Sequence, residues 1–272
     1  MNSTQSTLEY PEIDYCILSF SILGIIGTIC AILQLTLAYI RKTCLCIPEN
    51  TWYLHFLLLM GILNLFISSC ISGIFEHVGL YFTQFSLAIC VCCILTLATN
   101  LFFLCIYRQN FSSTFLLILP VLLVFPILIL LILFYSYTDD RSCTYYYVQY
   151  VLTSIYLYLD YFLTISMILT LCLHKTLYGK LLCLTTWTSW ILWNISWSIF
   201  YQYIFFVTLY LCPIFGYILL LLYIYPILLS KYFHTLLLMI NQLSPPPLQS
   251  QSIKKTNMNI SHTGYIRRSK AL

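Results

Sequence analysis

Seven long stretches of this chain carry almost no charge, and the lysines and arginines fall almost entirely into alternate gaps between them. The stretches are Cys16–Ile40, Trp52–Ile74, Leu80–Tyr107, Thr114–Tyr137, Tyr147–Leu173, Leu181–Ile204 and Phe206–Leu229. Each has about 20 residues or more, enough at about 1.5 Å per residue to cross a hydrocarbon core of about 30 Å. Only 7% of the residues are charged and 61% are hydrophobic, whereas a soluble domain carries about 25% charge. The pattern predicts an all-α membrane protein, a seven-transmembrane helix bundle.

Orientation follows from the basic residues. Arg41, Lys42, Arg108, Lys175, Lys180, Lys231, Lys254, Lys255, Arg267, Arg268 and Lys270 lie on one side of the predicted spans, and Arg141 alone lies on the other. Positive residues stay cytosolic, so the N-terminus is expected outside and the C-terminus inside. The segment before the first span is acidic and makes a poor signal peptide. It is read as a translocated extracellular segment, 1–15, in which Asn2-Ser3-Thr4 is the one glycosylation sequon on the correct side.

The membrane domain is expected over 16–230, with short loops and no extramembrane domain. Arg41–Thr51, Arg108–Ser113 and His174–Lys180 are inner loops; Phe75–Gly79 and Thr138–Tyr146 are outer ones. The uncharged run Leu181–Ser230 must turn once, near Tyr201-Gln202-Tyr203. Residues 231–243 are basic on entry and apolar thereafter, which predicts a short amphipathic helix lying in the inner interface. Residues 244–272, opening with Pro245-Pro246-Pro247, have too little apolar area to fold and read as a disordered cytoplasmic tail.

Membrane lipid is one expected partner. Nucleic acid is not, because the net charge of +4 comes from the cytosolic flanks of the spans. No metal-ligand spacing, nucleophile motif or pair of intramembrane acids occurs, so neither enzyme activity nor a cofactor is expected. Most of the 13 cysteines sit within spans as small apolar residues. Cys143 stands in the oxidising second outer loop; the candidate disulfide partners are Cys16, Cys70 and Cys212, and spacing does not choose among them.

Asp160 is the only acid inside a span, near the middle of the fifth. Burying it costs about 2.5 to 3.5 kcal/mol on insertion scales, so it should face the bundle as a switch or as a hydrogen-bond hub. His55, Asn64, Asn100, Asn194 and tyrosine hydroxyls are its candidate partners.

Several residues carry a family resemblance. Ile106-Tyr107-Arg108 stands at the inner end of helix three, where rhodopsin-like receptors carry Asp-Arg-Tyr, and Tyr225-Pro226-Ile227-Leu228-Leu229 keeps the proline of their seventh-helix motif. The sixth span reads Leu181-Leu182-Cys183-Leu184-Thr185-Thr186-Trp187-Thr188, leading to Ile195-Ser196-Trp197, and Lys175-Thr176-Leu177-Tyr178-Gly179-Lys180 precedes it. Tyr223-Ile224-Tyr225 runs into Ser230-Lys231-Tyr232-Phe233. Over most of Tyr15–Gln242 the chain resembles a viral G-protein-coupled receptor homologue of the gammaherpesvirus lytic-phase immune-evasion family, the Epstein-Barr virus type. The other rhodopsin-like signatures are missing: there is no Asn in the first span, no Asp in the second, no Trp in the fourth and no Pro in the sixth. Leu80-Tyr81 takes the place of the family's helix-three cysteine.

The resemblance implies a rhodopsin-like receptor architecture in the host plasma membrane, signalling constitutively through a Gi-type heterotrimeric G protein. It also implies modulation of immune display, with host class I histocompatibility molecules or chemokine receptors as partners. Arg108 and Tyr107 would contact the G protein, and Asp160, Tyr225 and Pro226 would form an intramembrane switch. Arg108 serves equally as a positive-inside anchor. The competing expectations are a non-signalling membrane adaptor that diverts host proteins, a divergent chemosensory receptor and a small-solute channel.

Overall fold

The computed structural model describes residues 11–41, 47–72, 76–137, 144–171, 176–200 and 204–230. Along them run α1 (Pro11–Ile40), a 3-10 turn (Glu49–Thr51), α2 (Trp52–Ser72), α3 (Glu76–Tyr107), α4 (Ser113–Tyr137), α5 (Thr144–Leu171), α6 (Leu177–Phe200) and α7 (Ile204–Ile218). The last helix continues as a π-helical segment, Leu219–Ile224, and stays helical through 230. The described residues contain no strand. Among the described residues, six stretches are long and apolar enough to cross a membrane: Tyr15–Ile40, Glu49–Ser72, Tyr81–Tyr107, Ser113–Leu133, Tyr150–Leu171 and Leu211–Ser230. The chain is thus an all-α, multi-pass membrane protein.

α6 is not one of the six. Its 24 residues include Thr185, Thr186, Thr188, Ser189, Asn194, Ser196 and Ser198, which pull its hydropathy below that of the others. Several of these hydroxyls bond to the helix itself. Thr185 donates to the Leu181 carbonyl at 2.8 Å, Thr186 to Leu182 at 2.7 Å, Ser198 to Asn194 at 2.8 Å, and Thr188 to Leu184. Bonding to a carbonyl four residues back hides a hydroxyl from hydrocarbon without a second helix.

The helices start earlier than hydropathy alone predicts. α6 begins at Leu177 rather than Leu181 because Thr176 caps it, its hydroxyl accepting the Gly179 amide at 3.0 Å. Ser112 does the same for α4, accepting the Phe115 amide at 3.2 Å. α3 begins at Glu76 and takes in most of the expected loop Phe75–Gly79; Gly79 lies so close to Ser72 that a Cβ there would clash with it. Hydropathy marks where a helix enters hydrocarbon, not where its backbone hydrogen bonds begin. The expected turn at 201–203 falls between the end of α6 and the start of α7, outside the described residues.

The dry core lies along α2, α3 and α7, and α1 and α4 bury much less of themselves. Phe66 of α2, fully buried, fills a slot between Gly24 of α1 and Gly216 of α7. A Cβ at Gly216 would lie 2.9 Å from the ring and one at Gly24 closer still, so glycine is what lets the three helices meet. Two prolines, Pro120 and Pro126, lie inside α4. Pro126 offers no N–H to the Leu122 carbonyl, and Tyr158 of α5 donates to the adjacent Leu123 carbonyl at 3.3 Å.

Candidate functional site

Antiparallel packing gathers Arg41, Arg108 and Lys180, all exposed, at one end of the bundle, here called the basic end. The polar side chains just inside it form a closed set. Asn50, in the 3-10 turn before α2, donates to Asn100 Oδ1 of α3 at 3.3 Å and to the Phe111 carbonyl at 3.0 Å, fixing the α3–α4 connection to α2. One helical turn deeper, His55 Nδ1 lies 2.7 Å from the Thr51 carbonyl. A carbonyl only accepts, so Nδ1 carries the proton and donates. His55 Nε2 lies 3.1 Å from the Tyr223 hydroxyl of the π-helical segment, which donates to the Tyr178 hydroxyl of α6 at 2.9 Å. In the neutral ring Nε2 has only a lone pair to offer, so it competes with Tyr178 for the single hydroxyl hydrogen of Tyr223. The three rings pack with centroids 5.8 to 6.0 Å apart, and all are buried. Helices α2, α6 and α7 are joined here through one hydrogen-bonded chain.

Arg108 ends α3 in the left-handed region, at φ 54°. Non-glycine residues pay about 1 to 2 kcal/mol for that conformation. The next amide, Gln109 N, reaches back to the Phe103 carbonyl at 3.4 Å. Beneath the turn lies an aromatic row: Phe103 packs on Tyr107 at 5.3 Å and on Phe111 at 5.0 Å, and Phe111 on Phe115 at 5.1 Å. Tyr107 is exposed and steadies the helix end through Phe103. The guanidinium of Arg108 is thus presented outward from a braced, strained turn.

Asp160 lies elsewhere, at mid-depth on α5. Of its candidate partners the structure selects Asn194, whose Nδ2 donates to Asp160 Oδ1 at 3.1 Å and also to the Trp190 carbonyl at 3.0 Å. One turn along, Trp190 Nε1 donates to Thr164 Oγ1 at 3.0 Å. These bonds form a polar seam between α5 and α6, all four side chains only partly buried. Asp160 is therefore not the hub of the bundle interior; His55 and Asn100 serve the basic end instead. Deeper in, Tyr156 stacks between Trp193 at 4.0 Å and Trp197 at 4.3 Å, and its hydroxyl donates to the Trp193 carbonyl at 3.0 Å.

The pair singled out in the seventh span divides. Tyr225 donates to the Gly27 carbonyl of α1 at 3.1 Å, so it clamps the periphery. Pro226 comes two residues after the end of the π-helical segment, whose wider turns accommodate a proline ring lacking an N–H. Sequence reasoning missed Tyr223, two residues earlier, which is the buried member of the network. Of the cysteines, Cys16, Cys70 and Cys212 are free thiols, Cys16 exposed and Cys212 buried. Cys143, Asn2, the interfacial segment 231–243 and the tail 244–272 lie outside the described residues. No group of metal-binding side chains occurs among the described residues.

Set against known protein families and against curated proteins, the chain matches none of them.

Proposed function

We propose that this chain is a seven-span receptor homologue of the viral G-protein-coupled type, constitutively active through a Gi-type protein and modulating immune display at the host plasma membrane. The observation that carries the reading is Arg108. An arginine held at positive φ where glycine would be unstrained points to a requirement for its side chain, since strain of this kind collects at functional positions. A guanidinium at a helix end forms strong charge-assisted hydrogen bonds to backbone carbonyls or carboxylates of a docking partner. The His55–Tyr223–Tyr178 chain supports the reading, because it couples the end of α7 to the start of α6 beside that surface. In this reading α6 also crosses the membrane, with the hydroxyls of Thr185, Thr186, Thr188 and Ser198 bonded to its own backbone, and the N-terminus faces outward.

The test is suppression of cyclic AMP in transfected cells, with and without pertussis toxin, for the wild type and Arg108→Ala at matched surface expression. Toxin-sensitive suppression by the wild type, lost in the variant, is the expected result. A well-expressed protein giving no suppression sinks the proposal. Cysteine labelling from each side of the membrane at Lys180 and at Tyr201 tests the span count; labelling of both from the same side shows that α6 does not cross and reduces the count to six.

A second reading, a membrane adaptor that diverts host proteins, is favoured by the α5–α6 seam, whose acidic group lies within reach of the lipid phase. Arg108→Ala would then leave surface class I levels unchanged.

A further inference from the structure

Asp160 sits ten residues into the 22-residue span Tyr150–Leu171, at the depth where an ionised carboxylate is least tolerated. The fold meets only part of its needs. Asn194 serves Oδ1, and Oδ2 has no hydrogen-bond partner among the described residues. A neutral amide does not supply the opposite charge that a carboxylate in hydrocarbon requires. Yet the group is not sealed away, as it would be if the bundle treated it as a structural hub: both Asp160 and Asn194 remain partly exposed.

The surroundings have the form of an interface centre. Leu157 and Tyr161 on α5, and Ile191 and Ile195 on α6, flank the polar pair, and all four are among the exposed large apolar side chains. A half-satisfied polar centre ringed by exposed apolar groups is the arrangement in which a docking helix would exclude lipid around a single strong contact.

We infer that the α5–α6 seam docks a transmembrane helix of another membrane protein, one carrying a lysine or arginine at mid-depth that pairs with Asp160. Charge complementarity selects the cation. The sequence excludes a second copy as its source, because none of the 12 lysines and arginines lies within the six apolar stretches. The only one in α6, Lys180, is fourteen residues from Asn194, about 21 Å along the helix. The inference does not depend on G-protein coupling and stands or falls separately from it.

The test co-expresses the full chain with designed single-span helices of leucine and alanine that carry one lysine at the centre, one lysine a turn and a half off centre, or none. Association is read by energy transfer in the membrane. The central-lysine helix should bind more strongly than the lysine-free helix by on the order of tenfold, binding should fall when the lysine is moved off centre, and Asp160→Asn should abolish the difference while Asp160→Glu retains part of it. The depth scan uses the wild-type protein and so holds even if a variant folds poorly. Equal binding of all three helices overturns the inference. So does preference for the central lysine that survives Asp160→Asn in a protein reaching the surface normally. Self-association of the chain that is lost on Asp160→Asn also overturns it, because the seam would then be filled by a second copy.

Discussion

The basic end and the α5–α6 seam solve the same problem in opposite ways. Both bring polar side chains into a bundle where water is scarce. At the basic end the polar groups pair with one another: Asn50 spans to α3 and the α3–α4 connection, and His55 donates from Nδ1 while its Nε2 shares the Tyr223 hydroxyl hydrogen with Tyr178. In the seam, a carboxylate is left with one amide contact and a face toward lipid. Closed polar networks contribute to stability and to the coupling of helices; an open one contributes little to either and is free to recognise something else.

That contrast is breakable by mutation. The largest effect should come from His55→Ala, which removes the Nδ1 bond to the Thr51 carbonyl and leaves a cavity where three rings meet; a loss of about 3 kcal/mol is expected, read as a lowered midpoint of thermal unfolding in detergent. Tyr223→Phe keeps the ring and removes the central hydroxyl, and should cost about 1 kcal/mol in the same assay. Arg108→Gly should act in the other direction, raising stability by about 1 kcal/mol by relieving the left-handed backbone while abolishing any toxin-sensitive signal. Asp160→Asn should change the unfolding midpoint least, by the equivalent of about 0.5 kcal/mol or less, because the surrounding fold does not rely on the charge. If Asp160→Asn were instead as damaging as His55→Ala, the seam would be a structural hub and the contrast would vanish.

The sequence makes some of this legible. Long apolar stretches announce the helices and their approximate centres, and the rarity of charge marks Asp160 at once. What it hides has physical causes. Helix starts outside hydrocarbon depend on caps such as Thr176 and Ser112 rather than on hydropathy. The partner of Asp160 is one of several polar residues at comparable depth, and only the rotation of α6 about its axis decides for Asn194. Among 24 tyrosines, nothing in composition separates Tyr223, which is buried in the network, from Tyr225, which clamps α1. The strain at Arg108 is a backbone property with no signature in the sequence around it.

The π-helical segment before Pro226 has a consequence for how the last helix meets its neighbours. A π turn holds one more residue than an α turn, so everything beyond it is phased about 100° away from where an uninterrupted α-helix would set it. Tyr223 lies inside the wide turns and Tyr225 just past them, and they address α2 and α6 on one side and α1 on the other. Removing a single residue from Leu219–Leu222 would leave the chain as apolar and almost as long, yet it would turn one of these tyrosines away from its partner. The identity of the lost residue would hardly matter; the count would.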